Sequence, residues 1–380
     1  MADRPLAPAS IAAQAGGAID EATRAIVPPI HVAATFLRDE DNQYRSGFSY
    51  GRPDNASVRH AEIVLAALEG GASSLAFASG MAAATSCFLA LAPGDHVVAP
   101  RVMYWSLRHW LAGFATRWGL AVEFVDAAST DAIEAAVKPG RTRLIWIETP
   151  ANPLWHVTDI AATAAIARRA GARLVVDSTV AASVFTQPLA LGADAVMHAA
   201  TKYLNGHSDL VAGALVAARE DEWWERVRAN RKELGAILGG FEAWLLVRGM
   251  RTLHPRVRWA ARSAQRLAER FARDKRIVEV LYPGLATARG HEVAKRQMSG
   301  GFGGMLSIRV AGGEAAAIAA AARVRLWKRA TSLGGVESLI EHRASVEGPG
   351  TPCPPDLLRL SVGVEDADDL AADLDQALAG

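Results

Sequence analysis

Cysteine is scarce. Only Cys87 and Cys353 occur, neither in a metal-ligand spacing. This argues against a secreted disulfide scaffold and against a structural zinc module. Two buried or half-buried thiols in a reducing cytoplasm are the expectation. An excess of one charge is also lacking: 41 Lys and Arg stand against 40 Asp and Glu, a formal net charge of +1. Attraction of an anionic polymer draws on a basic surplus, so nucleic acid is not an expected partner. Met1 to Ser10 carries Asp3, Arg4 and two prolines and has no apolar core, so no signal peptide is read there. The ten histidines include no His-Glu-x-x-His pair, and no metal is expected; His198 and His207 read as hydrogen-bonded structural residues. A Gly-x-Ser-x-Gly elbow is missing, as is a Gly-x-Gly-x-x-Gly after a strand. These absences weigh against an α/β-hydrolase and against a dinucleotide-binding fold.

One uncharged run, Gly70 to Gly94, is long enough to cross a bilayer. Ser73, Ser74, Ser79, Gly80, Thr85 and Ser86 interrupt it. It reads better as a strand over 75–78, a Ser79-Gly80 turn and a helix over 81–91, ended by Pro93-Gly94. No membrane association is expected.

With 51% hydrophobic residues among 380, the chain can bury a large core and divides naturally into two domains. Residues 1–50 read as an arm with weak periodicity that makes intersubunit contacts, 51–245 as a large domain and 246–380 as a small one. Tyr44 to Asn55 reads as an extended loop. A helix over 57–69 follows, with Ser57 as its N-cap and Gly70-Gly71 as its stop. Short apolar runs at 75–78, 96–99, 122–125, 144–148, 174–177 and 195–198 alternate with helical stretches such as 130–137 and 159–170. That alternation predicts an α/β fold with a mainly parallel sheet covered on both faces. Residues 220–249 read as helical and 252–271 as a long helix with a solvated basic face. The remainder predicts an α+β unit with strands over 278–281, 305–310 and 358–361 and helices over 314–324 and 366–379.

Ligands of parallel sheets bind beyond the carboxyl ends of the strands. Attention therefore falls on Ser79-Gly80-Met81, Thr149 to Asn152, Asp177 to Thr179 and Thr201-Lys202. Lys202 follows a buried strand, where an ammonium is costly. It either snorkels to solvent or has its pKa lowered for use as a nucleophile. Asp177 is costly too unless paired, either with Lys202 in a salt bridge or with a protonated ring nitrogen. A lysine and a carboxylate are what pyridoxal phosphate chemistry requires. Ser79-Gly80-Met81 offers backbone N–H groups at a helix start, suited to phosphate. Ser299-Gly-Gly-Phe-Gly-Gly304 precedes a strand rather than a helix and reads as close packing or a mobile loop.

Further motifs occur in order: Tyr50-Gly-Arg52-Pro-Asp-Asn55, Phe77-Ala-Ser-Gly-Met-Ala82, Glu148-Thr-Pro-Ala-Asn-Pro153, Val176-Asp-Ser-Thr179, Ala200-Thr-Lys-Tyr203 with Gly206-His-Ser-Asp209, Ser332-Leu-Gly-Gly-Val-Glu-Ser-Leu339 and Arg359-Leu-Ser-Val-Gly-Val-Glu-Asp366. Together they resemble the Cys/Met-metabolism (transsulfuration) family of pyridoxal phosphate (PLP) enzymes, over essentially the whole chain from about residue 25. The family includes cystathionine γ-synthase, cystathionine γ- and β-lyases, methionine γ-lyase and homoserine-ester sulfhydrylases.

The resemblance implies PLP fold type I, the aspartate-aminotransferase-like architecture, and pyridoxal 5'-phosphate as cofactor. Lys202 is implied to carry the cofactor covalently and then to move the Cα proton. Asp177 is implied to keep the pyridine nitrogen protonated, and Tyr104 to stack on the ring. Asn152 is implied near the cofactor's phenolic oxygen and the substrate, and Thr179 beneath the ring. Gly80, Met81 and Thr201 are implied as phosphate ligands, joined by Tyr50 and Arg52 from a neighbouring subunit. Arg359 is implied to clamp the substrate carboxylate, and Ser332 to orient that carboxylate or Lys202.

A homo-oligomer follows, a tetramer built as a dimer of active-site-sharing dimers, acting on a small amino-acid substrate in the cytoplasm. The implied reaction is γ-elimination or γ-replacement of the cystathionine γ-synthase/γ-lyase type, with β-lyase next, then methionine γ-lyase or sulfhydrylase. A non-catalytic relative or an aminotransferase is disfavoured. The chain also departs from the family pattern. Ala199 replaces a serine expected to bind phosphate, for which Ser178 or a water is a substitute. Trp105-Ser106 replaces a Gly-Gly after Tyr104, so an indole is expected to narrow the mouth of the site. Thr331 replaces an acidic residue tied to recognition of a distal amino group. Residues 342–356 form a short, proline-rich version of a substrate loop.

Overall fold

The computed structural model describes residues 6–380. Residues 1–5, the start of the expected arm and of the segment read for a signal peptide, lie outside the described residues. Seven strands form the large sheet: β1 (Ser73–Phe77), β2 (His96–Pro100), β3 (Ala121–Val125), β4 (Thr142–Glu148), β5 (Arg173–Asp177), β6 (Ala195–His198) and β7 (Gly213–Ala217). Their order is β1-β7-β6-β5-β4-β2-β3. The run from β6 to β3 is parallel, while β7 is antiparallel to both neighbours. The strands are apolar because both faces are covered. Val175 packs with Phe88 and Trp146 on one side, and Val176 with Ile147 and Ile160 on the other.

β7 was not expected. The apolar run from Val211 to Ala218 follows the Lys202 stretch directly and has no helix before it, so the alternation that marks parallel strands passes over it. Its first residue, Gly213, lies where a Cβ would come within 2.1 Å of the Ser79 carbonyl oxygen. A side chain there would displace the turn that opens the site.

Helices fill the crossovers. The helix Ala56–Glu69 is capped by Asn55, whose side chain accepts from Ser57 N at 2.9 Å. Ser57 is therefore not the cap. Its hydroxyl instead accepts from His31 N and ties the arm down. Gly70 in the left-handed conformation ends that helix. The uncharged 70–94 run resolves into β1 and the helix Gly80–Leu89, and among the described residues no helix is long and apolar enough to span a membrane. Residues 220–249 form two helices, Glu222–Glu233 and Gly240–Met250, rather than one. The expected domain boundary at 245 falls inside the second, which packs on Ala56–Glu69. The arm contributes a short helix, Pro8–Ala13, that buries Ala12.

The second sheet has five strands: β8 (Ile277–Leu281), β9 (Met305–Val310), β10 (Lys328–Arg329), β11 (Leu339–His342) and β12 (Leu357–Ser361). They are ordered β10-β11-β12-β9-β8, antiparallel except for β10 with β11. The helices Leu253–Phe271 and Gly313–Arg323 pack on this sheet, and Ala367–Ala379 packs against both of them. The basic face of Leu253–Phe271 is only partly solvated. Arg256 is held against the carbonyls of Tyr203 and Gly249, and burial lowers its pKa to about 10. The glycine-rich run 299–304 is packed rather than free: Gly303 O accepts from the buried Tyr282 hydroxyl at 3.0 Å.

Candidate active site

Parallel strands end on one edge of the large sheet, and their next residues meet there. A cavity of about 230 Å³ is lined by Ser79, Gly80 and Met81 after β1, Tyr104 after β2, Glu148 at the end of β4 and Asn152 after it, Asp177 at the end of β5 and Thr179 after it, and Ala199, Thr201 and Lys202 after β6. Leu333, beside Ser332, closes it from the second sheet's side.

At the β1 turn, Ser79 caps the helix Gly80–Leu89 by accepting from Ala82 N at 3.0 Å. Helix geometry leaves the first N–H groups, those of Gly80 and Met81, without acceptors inside the helix. They carry the positive end of its dipole. Gly80 is required by packing, since a Cβ would sit 2.8 Å from the Ala199 Cβ.

Asp177 ends β5, where it pairs in register with Glu148 of β4. One carboxylate oxygen accepts from Thr179 N at 3.0 Å and from its hydroxyl at 2.5 Å. Burial pushes its pKa up, against those hydrogen bonds. Glu148 is raised to about 8, first by burial and then by the charge of Asp177. Its two oxygens accept from Tyr104 N at 2.6 Å and Asn152 N at 2.8 Å. A single carboxylate thus anchors the two loops bearing Tyr104 and Asn152. Sequence reading left Glu148 without a role. The signal was available, because a carboxylate at a buried strand end is as costly there as at Asp177.

Lys202 neither snorkels nor pairs with Asp177. Its ammonium donates to Ser332 Oγ at 2.7 Å. Burial first, and the Arg359 guanidinium second, lower its pKa to about 8. Ser332 has φ 94°, a strained value for a residue with a Cβ. In that conformation its hydroxyl meets Lys202 while its carbonyl accepts from Arg359 Nη2 at 2.8 Å. Arg359 also donates to Asn152 Oδ1 at 3.4 Å and pairs with Glu341 at 2.7 Å.

The remaining expected residues divide. Tyr104 lines the cavity and heads the helix Trp105–Trp110. Thr201 lines it too, but its hydroxyl exchanges hydrogen bonds with Ala212, at 3.0 and 3.1 Å. Tyr50 and Arg52 are exposed on the arm side and do not line their own chain's cavity. Ser178 is fully buried outside the lining, and its hydroxyl has no hydrogen-bond partner. Trp105 turns away from the cavity and stacks on His109, so the indole does not narrow the mouth. His198 bonds Glu69 and His207 bonds the Asn205 carbonyl, away from the cavity.

These residues fit pyridoxal phosphate. Among the described residues Asp177 forms no ion pair, so a buried carboxylate faces the cavity lacking a cation. A protonated pyridine nitrogen supplies one. The unfilled N–H groups at Gly80 and Met81 suit a phosphate, and Lys202 offers an amine of lowered pKa for an aldehyde.

Comparison with known proteins agrees with this chemistry. A family model described as "Cys/Met metabolism PLP-dependent enzyme" matches residues 9–379. Cystathionine gamma-synthase of Mycobacterium tuberculosis is 46% identical over 378 residues, covering 98% of this chain and 96% of that protein. Cystathionine gamma-lyase of mouse is 40% identical over 365 residues, covering 94% of this chain and 91% of that protein. The crystal structure of cystathionine gamma synthase from Xanthomonas oryzae pv. oryzae in complex with cystathionine superposes with TM-score 0.94 at 37% identity, covering 99% of this chain and 98% of that one. The chain belongs to the Cys/Met-metabolism family of PLP-dependent enzymes, acting on carbon–sulfur bonds with the type I fold.

Proposed function

We propose that this enzyme is of the cystathionine γ-synthase type, joining the thiol of cysteine to Cγ of an activated homoserine ester. The observation that carries the reading is that Lys202, which lines the same cavity as Asp177, is joined through Ser332 to Arg359. When bound, PLP supplies an aldehyde that captures the substrate amino group and a ring that accepts the electron pair released at Cα.

In this reading Lys202 takes the Cα proton. With its pKa lowered to about 8, an appreciable minority of the amine is neutral near physiological pH, far more than at the ordinary lysine value. Ser332 aims that amine. Arg359 binds the α-carboxylate through two N–H groups, which orients the Cα–H bond toward Lys202. A second proton, at Cβ, must then move before the Cγ substituent leaves, and Lys202 is the base placed to move it. The ester leaves as a carboxylate, and the thiol sulfur adds with return of the protons. Asp177 holds the pyridine nitrogen in its protonated form. Gly80 and Met81 hold the phosphate, and Thr201 joins them by turning its hydroxyl from Ala212. Tyr104, Thr179 and Asn152, which line the same cavity, would complete the cofactor's seat, with Asn152 also accepting from Arg359.

Tyr50 and Arg52 are assigned to a neighbour's phosphate site. Their exposure supports this, as do the exposed apolar arm residues Val32 and Leu37, at 80% and 94%. The oligomer is then at least a dimer sharing active sites, and a tetramer as a pair of such dimers.

The γ-lyase reading comes second. Relatives named cystathionine gamma-lyase match nearly as much of the chain; the missing acidic group at Thr331 bears equally on both readings, since each handles a distal amine. A product assay separates them. An activated homoserine ester with cysteine should yield cystathionine. Cysteine and 2-oxobutyrate from cystathionine, with no synthesis, would establish the lyase instead. Homocysteine and pyruvate would establish a β-lyase.

A further inference from the structure

Arg359 belongs to a buried set of four charges. β11 and β12 pair so that Glu341 lies opposite Arg359. One oxygen of Glu341, Oε2, forms an ion pair with Arg359 at 2.7 Å and accepts a hydrogen bond from Arg343 at 3.0 Å. Arg343 Nε donates to Glu347 Oε1 at 2.9 Å, and the Thr351 hydroxyl donates to the other oxygen of Glu347. Glu341, Arg343, Glu347 and Arg359 are 6%, 3%, 5% and 4% exposed. The other oxygen of Glu341, Oε1, is buried with no hydrogen-bond partner.

A carboxylate shared between two guanidiniums neutralises neither. If Arg343 were absent, Glu341 would be the counter-ion of Arg359 alone. Its free Oε1 could then turn onto the same guanidinium, whose fork accepts a carboxylate through two parallel bonds. The edge required by a substrate carboxylate would be filled from inside the protein.

We propose that Arg343 is a positioning residue for the substrate: by holding Glu341, it keeps Arg359 available to the α-carboxylate of an amino acid. Glu347 and Thr351 hold Arg343, so the short 343–356 segment acts on substrate binding through charge. This rests on the reading of Arg359 as the carboxylate clamp. Burial lowers the pKa of Arg359 to about 10, with Glu341 opposing that shift and Arg343 adding to it.

The test compares two probes by calorimetry on the holoenzyme. Glycine has an amine and a carboxylate but no side chain to react, and methylamine has the amine alone. Arg359→Met should weaken glycine about a hundredfold relative to methylamine; an unchanged ratio would overturn the clamp reading itself. Given that collapse, Arg343→Met should weaken glycine about tenfold and leave methylamine unchanged. Adding Glu341→Gln to Arg343→Met should restore glycine binding, because the competing carboxylate is gone. Equal losses for both probes, or no rescue by Glu341→Gln, would overturn the positioning role and leave a structural one. Should Arg343→Met fail to fold, Glu341→Gln alone decides: tighter glycine with unchanged methylamine supports the proposal, and an unchanged ratio refutes it.

Discussion

At the sheet end of the cavity, Asp177 ends a buried strand and Gly80, Thr179 and Thr201 sit just past one. On the side of the second sheet, Arg359 is one of four buried charged side chains held by one another. The first region is set by strand geometry, which fixes where the chain must emerge. The second is set by a charge balance among residues of an antiparallel pair and the loop between them. Damage should therefore differ in kind: the first region should govern cofactor retention, and the second substrate affinity.

The largest effect tests what joins the two. Lys202→Ala removes the amine shared by both regions. Turnover should fall at least about 10³-fold in every product assay, and retained turnover would refute the assignment of the base. Asp177→Asn should come next, weakening cofactor retention by about 2 kcal/mol, roughly 30-fold, as read by absorbance on dialysis. Glycine affinity of the fully loaded variant should change far less. If the two fall together, the division between the regions fails. Gly80→Ala should lower stability and cofactor affinity by about 1–3 kcal/mol, because the new Cβ meets Ala199; a thermal melt of the apo form beside the cofactor titration measures both. The smallest effect sharpens the comparison at its weakest point. Ala199→Ser restores a hydroxyl beside the phosphate site and should tighten cofactor binding by about 0.5–1 kcal/mol.

The pH dependence follows from Lys202. Only the neutral amine captures an aldehyde. Burial lowers the folded-state pKa to about 8, so the neutral fraction rises through that pH rather than near the ordinary lysine value. Stopped-flow uptake of PLP by the apo form should accelerate with a midpoint near pH 8 and level about one pH unit above it. Acceleration continuing past pH 10 would show Lys202 to be solvated.

The same contrast explains what was legible in the sequence. Parallel strands announce themselves as short apolar runs between helices, and a costly residue at a strand end is visible as a letter. Lys202 and Asp177 could be singled out in that way, and Glu148 carried the same mark but was passed over. β7 was hidden because its apolar run adjoins the Lys202 stretch without a helix. β11 was hidden because Glu341 and His342 make half of it look polar, although both are buried. Whether a charged residue on a short strand faces solvent or a counter-ion depends on the strand opposite, here Arg359, and no local pattern encodes that. Side-chain directions were equally out of reach. Trp105 turned toward His109 and Thr201 toward Ala212 for reasons of packing that spacing does not record.

The central claim is that Lys202 is the residue to which the cofactor is joined. Purified holoenzyme reduced with borohydride, digested and examined by mass spectrometry should carry the phosphopyridoxyl group on Lys202. A label on any other lysine, or a protein that takes up added cofactor without becoming labelled, would contradict the account.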